Sequence, residues 1–375
     1  MYKVMAKQRH YRGPVYLATG SHHTCVTDGP NGTYCWGDNE HGQIGDGTTV
    51  TRDKPTAVVG LNVETIATGA GDKSTCAVTA EGALKCWGAN NYGQLGDGSL
   101  DDSLEPAQVH GSESGVTAVS VGSGFACAIR HGGVVCWGMI LGRQTVVPGE
   151  AFSRTPIPVV SLESNVDAIS AGALHACAIV SGSAKCWGDN SFGQIGDGTT
   201  TSREQPTPVT GLESGVSAIS AGGGHTCAIV SSSGTDTRSA PKVMCWGKNT
   251  KGQIGDGTTS EHLIPVLVYG LASDVSAIAS GSSHTCALMR VNSASSRVAC
   301  WGSNKMGQIG DGSYLDKYTP TLVEGLHLPY TAISSGAFHM CVASSKGSVA
   351  CWGNNRSGQL GYGYRDERAF PADVD

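Results

Sequence analysis

Apolar residues in this chain come in short runs rather than long stripes. In one representative unit they occupy residues 206–209, 216–219, 226–230 and 243–247, continuous or alternating with polar positions. Runs of that length are strands, and the Gly, Ser, Asp and Asn clusters between them supply positive φ and local side-chain turns. No stretch sustains a 3.6-residue apolar period, which leaves almost no room for helix. The pattern recurs with the tryptophans, whose intervals from Trp36 to Trp352 are 51, 50, 50, 59, 55 and 51 residues. A period of that length, carried to both ends, means an array of units that bury their faces against one another.

Four strands per unit make one blade, and seven units fit, the first opening on a strand at residues 15–18 and the last ending on one at 371–374. The predicted fold is all-β, a seven-bladed propeller of four-stranded blades over residues 14–375, after a basic tail at 1–13. Closing the ring removes the edges that an open array would expose. The C-terminal strand is expected to lie beside the N-terminal strands and close the circle.

Composition adds two facts. Glycine supplies 54 of 375 residues, about twice the average usage, as tight turns and close backbone approach require. All 14 cysteines fall in seven pairs, each ending in Cys-Trp-Gly: Cys25 with Cys35, Cys76 with Cys86, Cys127 with Cys136, Cys177 with Cys186, Cys227 with Cys245, Cys286 with Cys300 and Cys341 with Cys351. A hairpin turning over residues 80–82 sets Cys76 opposite Cys86, and two-residue turns at His131-Gly132 and Ser181-Gly182 restore that register where the spacing is nine. The fifth and sixth units insert polar residues (233–241 and 291–297) at the hairpin tip and leave the pair in place. Two readings stand: seven disulfides, which the facing register favours, or small buried apolar residues in a reducing cytosol. Zinc is disfavoured, because the spacings are not Cys-x2-Cys and each pair lacks two further close ligands.

Disulfides imply an oxidising compartment: a periplasm, a secretory lumen or the extracellular space. Residues 1–13 have no apolar core of signal-peptide length, so a leader is expected to have been removed, and no segment is long enough to insert in a membrane as a helix. The net charge is −6; without Lys3, Lys7, Arg9 and Arg12 the remainder carries 21 Lys and Arg against 31 Asp and Glu. That excess of acid keeps a protein soluble and disfavours nucleic acid as a partner. Asn31-Gly32-Thr33 and Asn355-Arg356-Ser357 match glycosylation acceptors.

The segments His225-Thr226-Cys227-Ala228-Ile229, Cys245-Trp246-Gly247-Lys248-Asn249 and Gly252-Gln253-Ile254-Gly255-Asp256-Gly257 resemble the repeat of the regulator-of-chromosome-condensation family. The resemblance recurs at residues 35–47, 86–98, 186–198, 300–312 and, with Tyr362 in place of Asp, 351–363. It implies the seven-bladed propeller but not one activity, since members include a nuclear exchange factor for a small GTPase, plant ultraviolet receptors and an exported bacterial β-lactamase inhibitor. Residues 214–219 and 114–119 are similar to the first-strand pattern of that bacterial member, which suggests a bacterial origin. Its aromatic-rich binding face is not matched by a chain with 6% aromatics. Neither the inserted wedge of the exchange factor nor the extra tryptophans of the photoreceptors are found.

Remaining candidate chemistry has structural explanations. His23, His175, His225, His284 and His339 stand two residues before the first cysteine of their units; Ser74 and Phe125 replace two others, so a metal ring is disfavoured and bonding to neighbouring backbone is expected. The aspartates of Gly-Asp-Gly (Asp46, Asp97, Asp197, Asp256, Asp311) offer one carboxylate each where calcium takes six to eight oxygens, and read as turn caps. Gly222-Gly223-Gly224 opens no helix and supports no phosphate cradle. No nucleophile has an adjacent base, so no catalytic residue, metal or cofactor is assigned.

Function in a repeat scaffold is expected where the repeat breaks. The third unit replaces its polar turn with Met139, Ile140, Leu141 and Arg143. Long hairpin tips in the fifth and sixth units carry Arg238, Lys242, Arg290 and Arg297 on one rim. These are the candidate partner-binding residues of a non-catalytic, disulfide-braced scaffold that binds a protein partner or assembles with itself. The alternatives are a GTPase regulator of the exchange-factor type and a structural subunit of a filament or appendage.

Overall fold

A two-residue turn with both φ angles positive twists the way paired strands twist, which is why it suits hairpins. His131, Gly132, Ser181 and Gly182 adopt φ of 51°, 80°, 50° and 76°. Cys127 therefore faces Cys136 and Cys177 faces Cys186. The hairpins of spacing ten reach the same register, with Cys25 opposite Cys35, Cys76 opposite Cys86 and Cys341 opposite Cys351. The longer hairpins keep it too, with Cys227 opposite Cys245 and Cys286 opposite Cys300. All seven pairs are bridged, with Cα atoms 4.0 to 4.2 Å apart, and no cysteine is free. Of the two readings of the cysteines, the bridged one is the one the fold adopts.

The computed structural model describes residues 16–27, 32–61, 63–68 (as backbone), 73–139, 152–231, 241–271, 274–292 and 295–374. Each cysteine hairpin gains one strand on either side. The first blade runs Tyr16–Thr19, His23–Thr27, Thr33–Gly37 and Arg52–Ala57. The seventh runs Tyr330–Ser335, His339–Ser344, Val349–Gly353 and Arg368–Asp373. Among the described residues there are seven sheets, each four-stranded, antiparallel and built from consecutive strands. First strands of successive blades meet around the centre, and fourth strands form the perimeter. Each fourth strand contains proline, from Pro55 to Pro371, which removes a donor from an edge that another strand could otherwise extend. The described residues contain no helix.

Ring closure differs from the sequence expectation. The C-terminal strand Arg368–Asp373 does not lie beside the N-terminal strands; it is the outer strand of blade 7 and pairs with Val349–Gly353. Closure comes instead from the first strand of blade 1 packing on the first and second strands of blade 7. Among the described residues every strand belongs to a blade of four consecutive strands, and none is exchanged between blades 1 and 7.

The core lies between blades rather than within them. Trp187 of blade 4, for example, packs with Phe125, Ile129 and Val134 of blade 3. Trp36, Trp87, Trp246, Trp301 and Trp352 are fully buried at the corresponding seams. Burying flat sheets against each other removes from water the apolar area that small blades cannot hide alone.

Candidate interaction surfaces

Four of the seven seams are stitched by one repeated arrangement. The main-chain carbonyl of Gln194, in the loop of blade 4, accepts the Trp246 indole N–H at 2.9 Å and the Thr226 hydroxyl at 2.9 Å, both from blade 5. Gln43, Gln253 and Gln359 serve Trp87 and Thr75, Trp301 and Thr285, and Trp36 and Thr24 in the same way. Because the threonine hydroxyl donates to that carbonyl, it accepts from the histidine of the preceding blade. The contacts are His23 to Thr75 at 2.9 Å, His175 to Thr226 at 2.8 Å, His225 to Thr285 at 2.8 Å and His339 to Thr24 at 2.9 Å. The tautomer is thereby Nε2–H.

The histidines therefore bond a side-chain hydroxyl of the next blade, not neighbouring backbone as the sequence suggested. Their Nδ1 atoms have no hydrogen-bond partner among the described residues. Burial pushes His23, His225 and His284 down to about 3 and His175 to about 4. Where the next blade offers Ala126 or Ala176 in place of the threonine, the preceding blade carries Ser74 or Phe125. His284, followed by Met340, takes Ser335 instead at 3.0 Å. These imidazoles point along the ring to successive seams and do not converge on an ion.

The Gly-Asp-Gly aspartates are turn caps, with one feature the sequence did not suggest. Asp197 accepts from Thr199 N at 3.0 Å, and its other oxygen accepts from Arg203 Nε at 2.6 Å on the fourth strand. Arg52, His262 and Lys317 hold Asp46, Asp256 and Asp311 similarly. Burial pushes these carboxyls up, but the hydrogen bonds outweigh it and hold all four below the usual carboxylate range. Asp97 caps Ser99. Asn355 is also a structural residue: fully buried, it accepts from Leu360 N at 2.9 Å and donates to the Tyr364 carbonyl. A glycosylation acceptor so placed is inaccessible in the folded ring, and Asn31 lies outside the described residues.

The repeat-breaking residues that the structure describes do not gather at one place. Met139 ends a strand, half-buried, and packs against the cluster around Trp187; Ile140, Leu141, Arg143 and Arg238 lie outside the described residues. Lys242 opens the third strand of blade 5 and is exposed. Arg290 and Arg297 are exposed on facing strands of the blade 6 hairpin, one register step apart. Met139, at the end of a third strand, stands on the face opposite the hairpin tip of blade 6, which joins a second strand to a third.

Sequence reading missed the perimeter of blade 5. Its outward positions are Ile264, Leu267 and Tyr269, 45%, 48% and 70% exposed, where blade 4 has Gln205, Pro208 and Thr210. Blade 6 continues the apolar character with Tyr318 and Leu322, and with Tyr314 and Leu315 in its loop. The signal was available: this is a fourth strand lacking the polar residues that its counterparts place outward.

The repeats of this chain are matched by known sequence profiles. A sequence profile described as the regulator of chromosome condensation (RCC1) repeat fits residues 31–78, 81–129, 181–229, 242–288 and 296–343. The chain belongs to the RCC1 repeat family. A second RCC1 repeat profile fits residues 66–94, 166–194, 216–253, 275–308 and 330–359. The ultraviolet-B receptor UVR8 of Arabidopsis thaliana is 28% identical over 95% of this chain and 69% of its own length. Human RCC2 is 36% identical over 123 residues, which is 32% of this chain and 23% of RCC2. Among solved structures, Prp20p of Saccharomyces cerevisiae superposes with a TM-score of 0.77 at 20% identity, covering 96% of this chain and 87% of that one. Human WBSCR16 gives 0.76 at 21% identity, covering 91% and 93%. At such identity these two structures speak for the RCC1-type propeller alone.

Proposed function

We propose that this RCC1-repeat propeller is a non-catalytic protein-binding scaffold that works in an oxidising compartment. The observation that carries the reading is the bridging of all seven cysteine pairs, from Cys25 with Cys35 to Cys341 with Cys351, each across directly facing strand positions. Such bonds persist outside the reducing cytosol. Intact mass of the natively purified protein is expected to fall about 14 Da below the reduced mass, two hydrogens per bond, with no thiol open to alkylation before reduction. Fourteen alkylated thiols would instead return the chain to an intracellular setting and revive the GTPase-regulator reading.

The binding surface we assign is the flank of blades 5 and 6. Ile264, Leu267, Tyr269, Tyr318 and Leu322 give it exposed apolar area, and Arg290 and Arg297 stand at the nearby hairpin. Aromatic and arginine side chains are the residue types that anchor protein interfaces. The solved Prp20p is described by its binding to Gsp1p and histones, a use of the same fold in recognising proteins. Proline in every outer strand weighs against a filament built by strand addition. A photo-crosslinking residue at position 267 or 322 is expected to capture the partner while one at position 205 does not; equal capture at all three positions would remove the assignment of this flank.

A further inference from the structure

Six of the seven seams are crossed by the polypeptide, because a linker joins the fourth strand of one blade to the first strand of the next. The seam between blades 7 and 1 is not, since each blade consists of consecutive strands. Non-covalent contacts alone hold it. Trp36 and Thr24 donate to the Gln359 carbonyl at 2.8 Å each, His339 meets Thr24 at 2.9 Å, and Thr19 meets Ser334 at 2.7 Å. Gly363 N adds one main-chain bond to the Asp53 carbonyl at 2.9 Å. The His22 and Phe338 rings lie 6.4 Å apart above the seam.

Two imidazoles, His339 and His22, stand at this seam. His339 also feels the charge of His22, His23 and His284, the last two bonded across the neighbouring seams. His22 faces Asp38 and Lys73, and Lys73 is paired with Glu40 at 3.1 Å. Asp38 favours a proton on His22, but burial acts more strongly against it. On His339 the Nε2–H is given to Thr24, so a second proton has only Nδ1 to go to. Gly336 lies so close to that atom that an added Cβ would come within 2.4 Å of it. A charge placed there is fully buried with no acceptor among the described residues, and charge on the neighbouring imidazoles repels it. Relief comes from separating the two blades.

We propose that the seam between blades 7 and 1 is an acid-released latch: proton uptake at His22 and His339 parts the first and last blades while each disulfide-braced blade keeps its own fold. Burial, then the like charge of neighbours, holds His339 well below the usual imidazole range, and burial also lowers His22. Both groups therefore gain protons more readily in the opened form. Opening exposes Trp36, Leu360 and Tyr362, which form the apolar cluster of this seam.

Hydroxyl-radical footprinting of the disulfide-intact chain, read by mass spectrometry from about pH 7.5 down to about pH 4.5, tests this. Oxidation of Trp36 is expected to rise below about pH 6 while Trp246 and Trp301 stay at their neutral-pH level. The opening constant should climb by up to about two powers of ten per pH unit, one for each proton taken up. A His22→Asn, His339→Gln double variant should hold Trp36 protected to lower pH. Simultaneous rise at all three tryptophans, or no rise at Trp36 across the range, overturns the latch; the contrast within the unmodified chain decides the matter even where the double variant does not fold.

Discussion

Between about pH 7 and about pH 5.5 the whole ring is expected to lose about 6 kcal/mol of stability through its five buried histidines. The unfolded chain binds a proton at each near pH 6.5, whereas in the fold His23, His225 and His284 lie at about 3, His175 at about 4 and His339 well below the ordinary value. Between those limits the unfolded state holds more protons, so stability is full above about pH 6.5 and drains as the pH falls. The capped aspartates, whose pKa values are also depressed, act in the same direction at lower pH. The disulfides do not offset this, because each lies inside one blade and none crosses a seam. Urea unfolding free energies measured at intervals from about pH 7.5 to about pH 5 should give a slope approaching five protons. A flat profile over that range would mean that the histidines titrate as they do in water.

Trp246→Ala is expected to cost about 3–5 kcal/mol, the range for emptying a buried aromatic site. Trp246 is fully buried at the blade 4/5 seam beside Cys177, Ile195 and Leu212. Gly196 lies so close to the indole that an added Cβ would come within 2.7 Å of Nε1. The Gln194 carbonyl keeps the Thr226 hydroxyl as a donor after the substitution, so the loss is chiefly one of packing. Chemical denaturation with the disulfides intact should show a lower midpoint at unchanged slope; a shift below about 1 kcal/mol would show that the seam collapses around the gap.

The blade count and the cysteine hairpins were legible in the sequence because both are local. A spacing of nine or ten around a glycine-containing turn leaves few registers in which two cysteines can face. The seams were less legible because they join residues 32 to 60 positions apart, such as Gln194 with Thr226 and His225 with Thr285. One trace of them stands in the chain: His175 precedes a unit with Thr226, while Phe125 precedes one with Ala176. The periphery of blade 5 escaped notice for another reason. Leu267 and Tyr269 look like ordinary strand residues until the fold shows which side of the strand faces out.

Prolines on the rim and bonds along the ring bear on how this protein responds to force. A pull on both ends of the described chain acts on blades 1 and 7, whose shared seam no main chain crosses. Load would part that seam first, then peel whole blades, since within each blade the strands are hydrogen-bonded along their length. Every bridge withholds from extension the loop between its cysteines, 9 to 18 residues apart in sequence. Under tension the protein would therefore behave as a string of seven knots, lengthening in steps and keeping a compact lump of chain at each one.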